Sequence, residues 1–95
     1  MPSINFSRPF FTAARLLRAF RDSLAGEDLL TINPGAIVGG TSVAWDRGES
    51  RGTAFGKNNV VAESTIVAGD LRARSVVQRE RAKGLMAAIA AAAGP

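Results

Sequence analysis

Residues 59–72 form the longest run of strand-type sequence in the chain, and apolar side chains occur on both faces of the run. One face carries Val60, Ala62, Ile66 and Ala68, and the other carries Val61, Thr65, Val67 and Leu71. A strand that is apolar on both faces needs neighbours above and below it. The sequence therefore predicts a central strand that is covered by helices on one face and partly covered on the other.

Two helical patterns flank the strand-type part of the chain. Apolar residues recur at helical spacing over residues 8–25, with Ser7 as the expected N-cap and Pro9 in the first turn. After the central strand, Ser75 and Gln78 have the spacing of a capping box, in which each side chain satisfies the backbone amide of the other. This box predicts a second helix that continues into the alanine-rich end of the chain.

Shorter strands are predicted between the first helix and the central strand. Residues 29–38 have a strand pattern that Pro34-Gly35 interrupts, which predicts an edge strand or a bulge because proline has no N–H to donate. Residues 41–45 and 51–55 are predicted to pair as a hairpin around a turn. The expected fold class is α+β, a single domain over residues 1–95 with two helices packed on one face of an antiparallel sheet.

The 95 residues contain no histidine and no cysteine. A zinc site would then rest on carboxylates and water, which is rare, and catalysis that depends on imidazole is excluded. No pair among the eight acidic residues is spaced as an acid/base couple. The sequence therefore predicts no catalytic residue, no metal ligand and no cofactor in this chain.

A formal net charge of +4 leaves open a second class of function. The basic residues are densest near the second helix, as Arg72, Arg74, Arg79, Arg81 and Lys83. This group is interpreted as solvated helix surface, and the alternative is a small basic protein that binds nucleic acid or an acidic partner. No aromatic side chain lies within the group to stack on bases, so nucleic acid is not the favoured partner.

Two other classes find little support in the sequence. A phosphate-binding enzyme built on residues 35–41 ranks last, since that segment lacks the Gly-Lys-Ser/Thr ending of a phosphate-binding loop. No apolar run reaches the length of a membrane span, and the N-terminal apolar run breaks into arginines, unlike a signal peptide. A cytoplasmic location is the default expectation.

Four segments, taken in order, resemble one protein family. They are LTINPGAIVGGT (residues 30–41), RGTAFGK (51–57), NVVA (59–62) and GDLR (69–72). Their order and spacing are similar to the dimerisation domain of M20 zinc metallopeptidases, particularly the branch that includes bacterial glutamate carboxypeptidase. The resemblance covers about residues 10–93.

The resemblance implies a fold, an assembly and a role. The family domain is a lid with a ferredoxin-like βαββαβ topology, and two lids associate to form a homodimer. Zinc and its ligands belong to a separate catalytic domain, which hydrolyses peptide or amino-acid amide substrates. By the same resemblance, Asn59 and Arg72 match the lid residues that bind the substrate carboxylate or stabilise the reacting carbonyl, partly across the dimer.

This chain also departs from the family pattern. The family's first lid strand, which carries a histidine, is expected before residue 8, where only residues 3–7 remain; the last strand is missing. The implied domain therefore lacks its first and last strands. Asn59 and Arg72 are thirteen positions apart, which places them on opposite faces of an ideal strand. Either Asn59 precedes the strand, or a bulge near Gly69 resets the register.

Overall fold

The computed structural model describes residues 3–62 and 64–93. The elements in chain order are β1 (Ser3–Arg8), α1 (Phe10–Leu24), β2 (Thr31–Gly40), β3 (Ser42–Asp46), β4 (Arg51–Phe55), β5 (Ser64–Arg72) and α2 (Val76–Ala93). The predicted α+β class is confirmed, with two helices packed against a small antiparallel sheet. The predicted hairpin is confirmed as β3 and β4, which pair antiparallel.

Strand β5 is the centre of a three-stranded sheet with the order β1-β5-β2. Both neighbours run antiparallel to β5, so its central position is confirmed. The expectation that the first strand is missing is wrong, because Ser3–Arg8 forms β1. This segment alternates correctly for a strand, with Ile4 and Phe6 partly buried against the core. The ferredoxin-like order and the absence of the domain's last strand stay predictions.

The bulge predicted in β2 is confirmed. The pairing of β2 with β5 shifts register between Pro34 and Ala36, opposite Gly69 and Ala68. A bulge at this point accommodates the proline, which cannot donate to the ladder. The backbone of Asn33 and Pro34 approaches Gly69 so closely that a Cβ there would overlap it. Glycine is therefore required at position 69 by the close approach of the two strands.

Helix α1 begins without the predicted serine cap. Pro9 occupies the N-cap position with no side-chain capping bond, and the first helical bond runs from the amide of Ala13 to the carbonyl of Pro9 at 2.8 Å. The predicted N-cap at Ser7 is wrong, because Ser7 lies in β1 and pairs with Ile66. The extended pairing continues through Arg8, and the fixed φ of proline then turns the chain into the helix.

The core lies between the two helices and one face of the sheet. Its buried members come from both layers: Leu16, Phe20, Leu24, Leu30, Leu71, Ala82 and Met86. Phe6 from β1 meets Phe20 edge to face, with ring centroids 5.9 Å apart. Val67 and Leu71 of β5 are fully buried, as the predicted helix-facing side of the central strand requires.

The β3–β4 hairpin covers part of the other face of the sheet. Gly52 of β4 lies so close to Val38 of β2 that an added Cβ would come within 3.0 Å of the Val38 side chain. Gly40 at the end of β2 approaches the carbonyl of Phe55 in the same way. The turn that joins the hairpin is held by Asp46, whose side chain accepts hydrogen bonds from the amides of Gly48 and Glu49.

The start of α2 is bonded to the loop that joins α1 to β2. Ser75 accepts a hydrogen bond from the amide of Gln78 at 3.1 Å, which is one half of the predicted capping box. The other half is wrong, since the buried Gln78 side chain accepts from the Arg74 amide and donates to the carbonyl of Asp28, both at 2.8 Å. The amide of Arg74 thus takes the place of the Ser75 amide on the Gln78 side-chain oxygen. The side-chain N–H of Gln78 satisfies the loop carbonyl of Asp28, which would be costly to leave without a partner.

An ion pair between Arg81 of α2 and Glu27 of the same loop strengthens this attachment. The hydrogen bond from Arg81 lowers the pKa of Glu27 below its ordinary value of 4.5. A carboxyl group with a lowered pKa in the folded state adds stability above 4.5, and the contribution is lost as the pH falls through the folded-state value.

We expect Glu27→Gln to lower the free energy of unfolding at neutral pH, because the uncharged amide loses the charge-assisted bond to Arg81. The difference from the parent protein should shrink as the pH is lowered below 4.5, where Glu27 itself becomes protonated. Urea unfolding of the parent protein and of Glu27→Gln at neutral and acidic pH measures the stability difference and its change with pH. Glu49→Gln in the exposed β3–β4 turn is the control. A Glu27→Gln deficit that stayed constant across this pH range would contradict the expectation.

Neither helix in the described residues has the length and apolar character needed to cross a membrane.

Candidate functional site

The two site residues predicted from the sequence lie at opposite ends of β5. Asn59 is exposed in the turn that precedes the strand, and Arg72 is exposed at its last position. The nine residues of β5 separate them by about 26 Å at the rise of an extended strand. One copy of the chain therefore does not bring Asn59 and Arg72 together around one small molecule.

The structure also decides between the two explanations of their spacing. Strand β5 begins at Ser64, so Asn59 precedes it and is not bound by its alternation of faces. The predicted strand start at residue 59 is too early, because Ser64 already pairs with Gly40, the last residue of β2. Arg72 follows the buried Leu71 and so lies on the face of the sheet away from the helices.

A groove runs between α1 and the outer edge of β2. Its middle part has a volume of about 480 Å³ and is lined by apolar side chains that include Phe10, Phe11, Leu17 and Ile37. Towards the C-terminal end of α1 it continues past Leu17 to Arg18, Arg21, Ile32 and Pro34. Helix and strand thus form one continuous concave surface that is apolar in the middle and basic at one end.

Several large apolar side chains of this surface are open to solvent. Phe11 is 83% exposed and Ile37 is 57% exposed. Val60 and Val61, from the loop before β5, extend the same surface around the start of α1. Contiguous apolar surface of this kind is typical of interaction sites, whereas single exposed apolar residues are ordinary.

The backbone of β2 adds a second element to this surface. Among the described residues, β2 pairs with β5 on one side and with no strand on the other. An unpaired edge presents N–H and C=O groups that can accept another strand. The exposed apolar side chains and the open edge therefore lie together on α1 and β2. We define these two elements, with the groove between them, as the α1–β2 face.

The loop that carries Asn59 borders the α1–β2 face. Asn58 and Val60, its two neighbours, line a cavity together with Phe10 and Phe11 at the start of α1. The loop is attached to the end of β2 by a hydrogen bond of 3.1 Å from the amide of Lys57 to the hydroxyl of Thr41. Asn59 is consequently held next to this face, although its own side chain does not line the cavity.

Most of the late basic group has carboxylate partners within the chain. Arg74 lies 3.6 Å from Asp28, Arg79 lies 3.4 Å from Glu80, and Arg81 contacts Glu27 at 2.5 Å. These exposed pairs contribute little to stability, but they reduce the net positive charge of the α2 surface. The geometry thus favours the interpretation as solvated helix surface over a phosphate-binding patch.

No group of three or more His, Cys, Asp or Glu side chains that could hold a metal ion occurs in residues 3–62 and 64–93. The donors present in the described residues do not fit a zinc site of the kind found in peptidases.

Comparison with known proteins finds no matching family model, no matching curated protein and no matching solved structure. The functional proposal therefore rests on the sequence motifs and on the geometry of the described residues.

Sequence reasoning missed the residues that form the α1–β2 face. Phe11 follows Phe10 directly, so the two cannot both lie on the buried stripe of α1, and this is the signal that was available. Ile37 gave no comparable signal, because an isoleucine in a strand is ordinarily buried. Its exposure follows from the edge position of β2, which depends on the pairing of distant segments.

Proposed function

We propose that this chain is a dimerisation module, in which two copies associate through the α1–β2 face. By its resemblance to the M20 lid, the module belongs to a zinc metallopeptidase whose catalytic domain binds the metal and hydrolyses peptide or amino-acid amide substrates. A cytoplasmic location is part of the proposal. The observation that supports it most directly is the exposed apolar groove along the open edge of β2.

A twofold dimer accounts for both parts of this face at once. In such a dimer the α1–β2 face of one copy contacts the same face of the second copy. The edge of β2 then pairs with β2 of the second copy, and the apolar side chains of the two α1 helices contact each other across the twofold axis. Pairing satisfies backbone groups of the edge, and contact between copies removes Phe11 and Ile37 from water. Burial of aromatic and aliphatic side chains at the centre of an interface supplies most of its free energy.

The same arrangement gives Asn59 and Arg72 a shared location. Thr31 at the start of β2 pairs with Arg72, and Gly40 at its end pairs with Ser64, just after the Asn59 loop. Antiparallel pairing of two β2 strands brings the start of one alongside the end of the other. Arg72 of one copy then lies at the same end as Asn59 of the second copy, with about 14 Å between the two β5 strands.

In this proposal Arg72 binds a substrate carboxylate and Asn59 of the second copy donates a hydrogen bond to the reacting carbonyl. A guanidinium group grips a carboxylate with two parallel hydrogen bonds. An amide N–H that points at a carbonyl stabilises the negative charge that develops on its oxygen during hydrolysis. Both residues are exposed, as contact with substrate requires.

Ile37→Lys should convert the dimer to monomers. The substitution places an ammonium group in the middle of the apolar contact, and we expect the dimer dissociation constant to rise about 30-fold or more, equivalent to the loss of about 2 kcal/mol at an interface hot spot. Sedimentation equilibrium over a range of protein concentrations measures this constant. The parent chain should sediment as a concentration-dependent dimer.

The matched control is Val77→Lys, the same type of change at a site on α2 that is 73% exposed and lies away from the groove. It should leave the dissociation constant unchanged. A parent chain that stays monomeric at high concentration would refute the proposal. A dimer that Val77→Lys disrupts and Ile37→Lys does not would show that another face associates.

A further inference from the structure

A second cleft lies on the other face of the sheet, between the sheet and the β3–β4 hairpin. It has a volume of about 450 Å³, within the range of small-molecule sites in proteins. Its polar lining comes from separate elements: Asn5 of β1, Asn33 of β2, Asp70 of β5, and Trp45 and Arg47 of the hairpin. The convergence of polar groups from four parts of the chain on one cavity is typical of a binding site.

The register of the sheet explains why these side chains converge. Asp70 pairs directly with Asn33, and both point away from the helices because their neighbour Leu71 is buried on the helix side. One row further along, Asn5 pairs with Ala68 of β5. The small alanine leaves room above the sheet. The cleft therefore has an apolar floor with a carboxylate and two amides at its sides.

Trp45 forms the wall that the hairpin contributes. It stands opposite Gly52 in the β3–β4 pair, and the benzo edge of its indole ring lies against that glycine. The indole Nε1 is on the other side of the ring, where it is buried with no hydrogen-bond partner among the described residues. Trp45 lines the cleft, and its ring contributes apolar surface to the wall.

Arg47 and Asp70 give the cleft one positive and one negative group. Within residues 3–62 and 64–93 they form no ion pair with each other, and neither pairs with another residue. Asp70 is half-buried, so its carboxylate is only partly hydrated. Two opposite charges on the lining of one cavity match a ligand that itself carries both charges.

We propose that this cleft binds a small zwitterion, namely a free α-amino acid. Arg47 holds its carboxylate with two hydrogen bonds. Asp70 accepts hydrogen bonds from the ammonium group, and Asn5 and Asn33 satisfy the remaining polar positions. The apolar surface of Trp45 and Ala68 accommodates the side chain.

Both charges are needed for the affinity we expect. An isolated anion meets Arg47 but leaves Asp70 unsatisfied, and an isolated cation does the reverse. Because removal of one partner of a charge-assisted pair costs about 1.5–3 kcal/mol, each half-ligand should bind at least about tenfold more weakly than the zwitterion. The cleft lies on the face of the sheet away from the helices, whereas the groove of the α1–β2 face is lined by α1 and by the helix-side residues of β2, so the two sites use different side chains.

The chain contains its own reporter for this site. Trp45 is the single tryptophan in a sequence without tyrosine, so fluorescence excited at the indole band reports on the cleft alone. The full chain is titrated with L-leucine, glycine, acetate, methylammonium and glucose. L-leucine should change the Trp45 emission in a saturable manner with a dissociation constant of about 1 mM or tighter, a binding free energy of about −4 kcal/mol.

Arg47→Gln and Asp70→Asn should each weaken L-leucine binding at least about tenfold, since each removes one of the two charges. Arg51→Gln and Glu49→Gln are the matched controls, because each removes one positive or one negative charge from a hairpin residue that does not line the cleft, and they should leave binding unchanged. Arg47 is exposed in a turn, so Arg47→Gln remains decisive even if Asp70→Asn disturbs folding.

Three results would overturn the proposal. The first is the absence of a saturable change with L-leucine up to about 10 mM, above the weakest affinity expected. The second is binding of acetate, methylammonium or glucose as tight as that of L-leucine, which would assign the cleft to another ligand class. The third is equal loss of binding in the cleft variants and in the hairpin controls.

Discussion

Leu71→Ala is expected to lower the free energy of unfolding by about 2–5 kcal/mol. Leu71 has no exposed surface and lies in the middle of the core, on the central strand β5. Truncation removes the apolar burial of the side chain and leaves a cavity that the flanking strands, paired on both sides, cannot collapse to fill. Folded domains are stable by only about 5–15 kcal/mol, so this loss is a large fraction of the total.

Urea unfolding followed by far-UV circular dichroism measures the effect at a fixed protein concentration, which holds any contribution from dimerisation constant. Leu85→Ala is the control, since it deletes the same atoms from a helix position that is 41% exposed. We expect Leu85→Ala to lower the free energy of unfolding much less than Leu71→Ala. Equal losses for the two variants would mean that the core does not lie between α1 and β5.

Gly69→Ala is expected to destabilise the fold by about 3 kcal/mol, the upper part of the range for overpacked sites. An added Cβ would overlap the carbonyl of Asn33 and lie 2.8 Å from the Cα of Pro34. Both obstacles are backbone atoms of β2, so relief requires the two strands to separate at the bulge. The cost therefore falls on the β2–β5 pairing, on which the α1–β2 face depends.

Gly84→Ala tests the same substitution where the structure offers open space. Apart from its chain neighbours and the adjacent backbone of α2, no described atom lies within 4 Å of the position of its Cβ, in the middle of the helix. Alanine there should raise the free energy of unfolding by about 1 kcal/mol, because glycine is the poorer helix former. Thermal or urea unfolding of Gly69→Ala and Gly84→Ala compares their free energies of unfolding with that of the parent protein. A tolerated Gly69→Ala would contradict the close approach of β2 and β5.

The two proposed sites use the two faces of one sheet in different ways. The helix-covered face ends at the edge strand β2, whose apolar side chains are exposed to solvent. This face is suited to association with a second copy of the chain. The other face is covered by a hairpin that leaves a polar cleft beneath it, and it is suited to a small molecule. Gly69, opposite the bulge of β2, contributes to both sites because the absence of a Cβ allows β2 to pair closely with β5.

Local sequence patterns predicted the elements whose stability depends on near neighbours. Helix α1 follows from apolar spacing, and Ala13, Phe20 and Leu24 of that pattern are buried. The hairpin of β3 and β4 follows from its turn residues, and the bulge follows from Pro34. In each case the controlling interactions lie within a few positions along the chain.

Errors occurred where pairing between distant segments decided the outcome. Residues 3–7 were taken as a remnant of the family's first strand because they lack its histidine, yet β5 offers this segment a complete set of partners. The start of β5 was placed too early because residues 59–62 have strand-type composition but lie beyond the ends of both neighbouring strands. The side-chain N–H of Gln78 also donates to the carbonyl of Asp28, fifty positions away, a bond that the local capping pattern could not indicate.

The sequence by itself determined that β5 is central, because a strand that is apolar on both faces must be covered on both. It could not place Asn59 and Arg72 relative to each other, since their separation depends on where β5 starts. The exposure of Ile37 and the cleft beside Trp45 were decided only by the tertiary structure. Both result from the order of the strands, which is set by contacts between residues that are far apart in the chain.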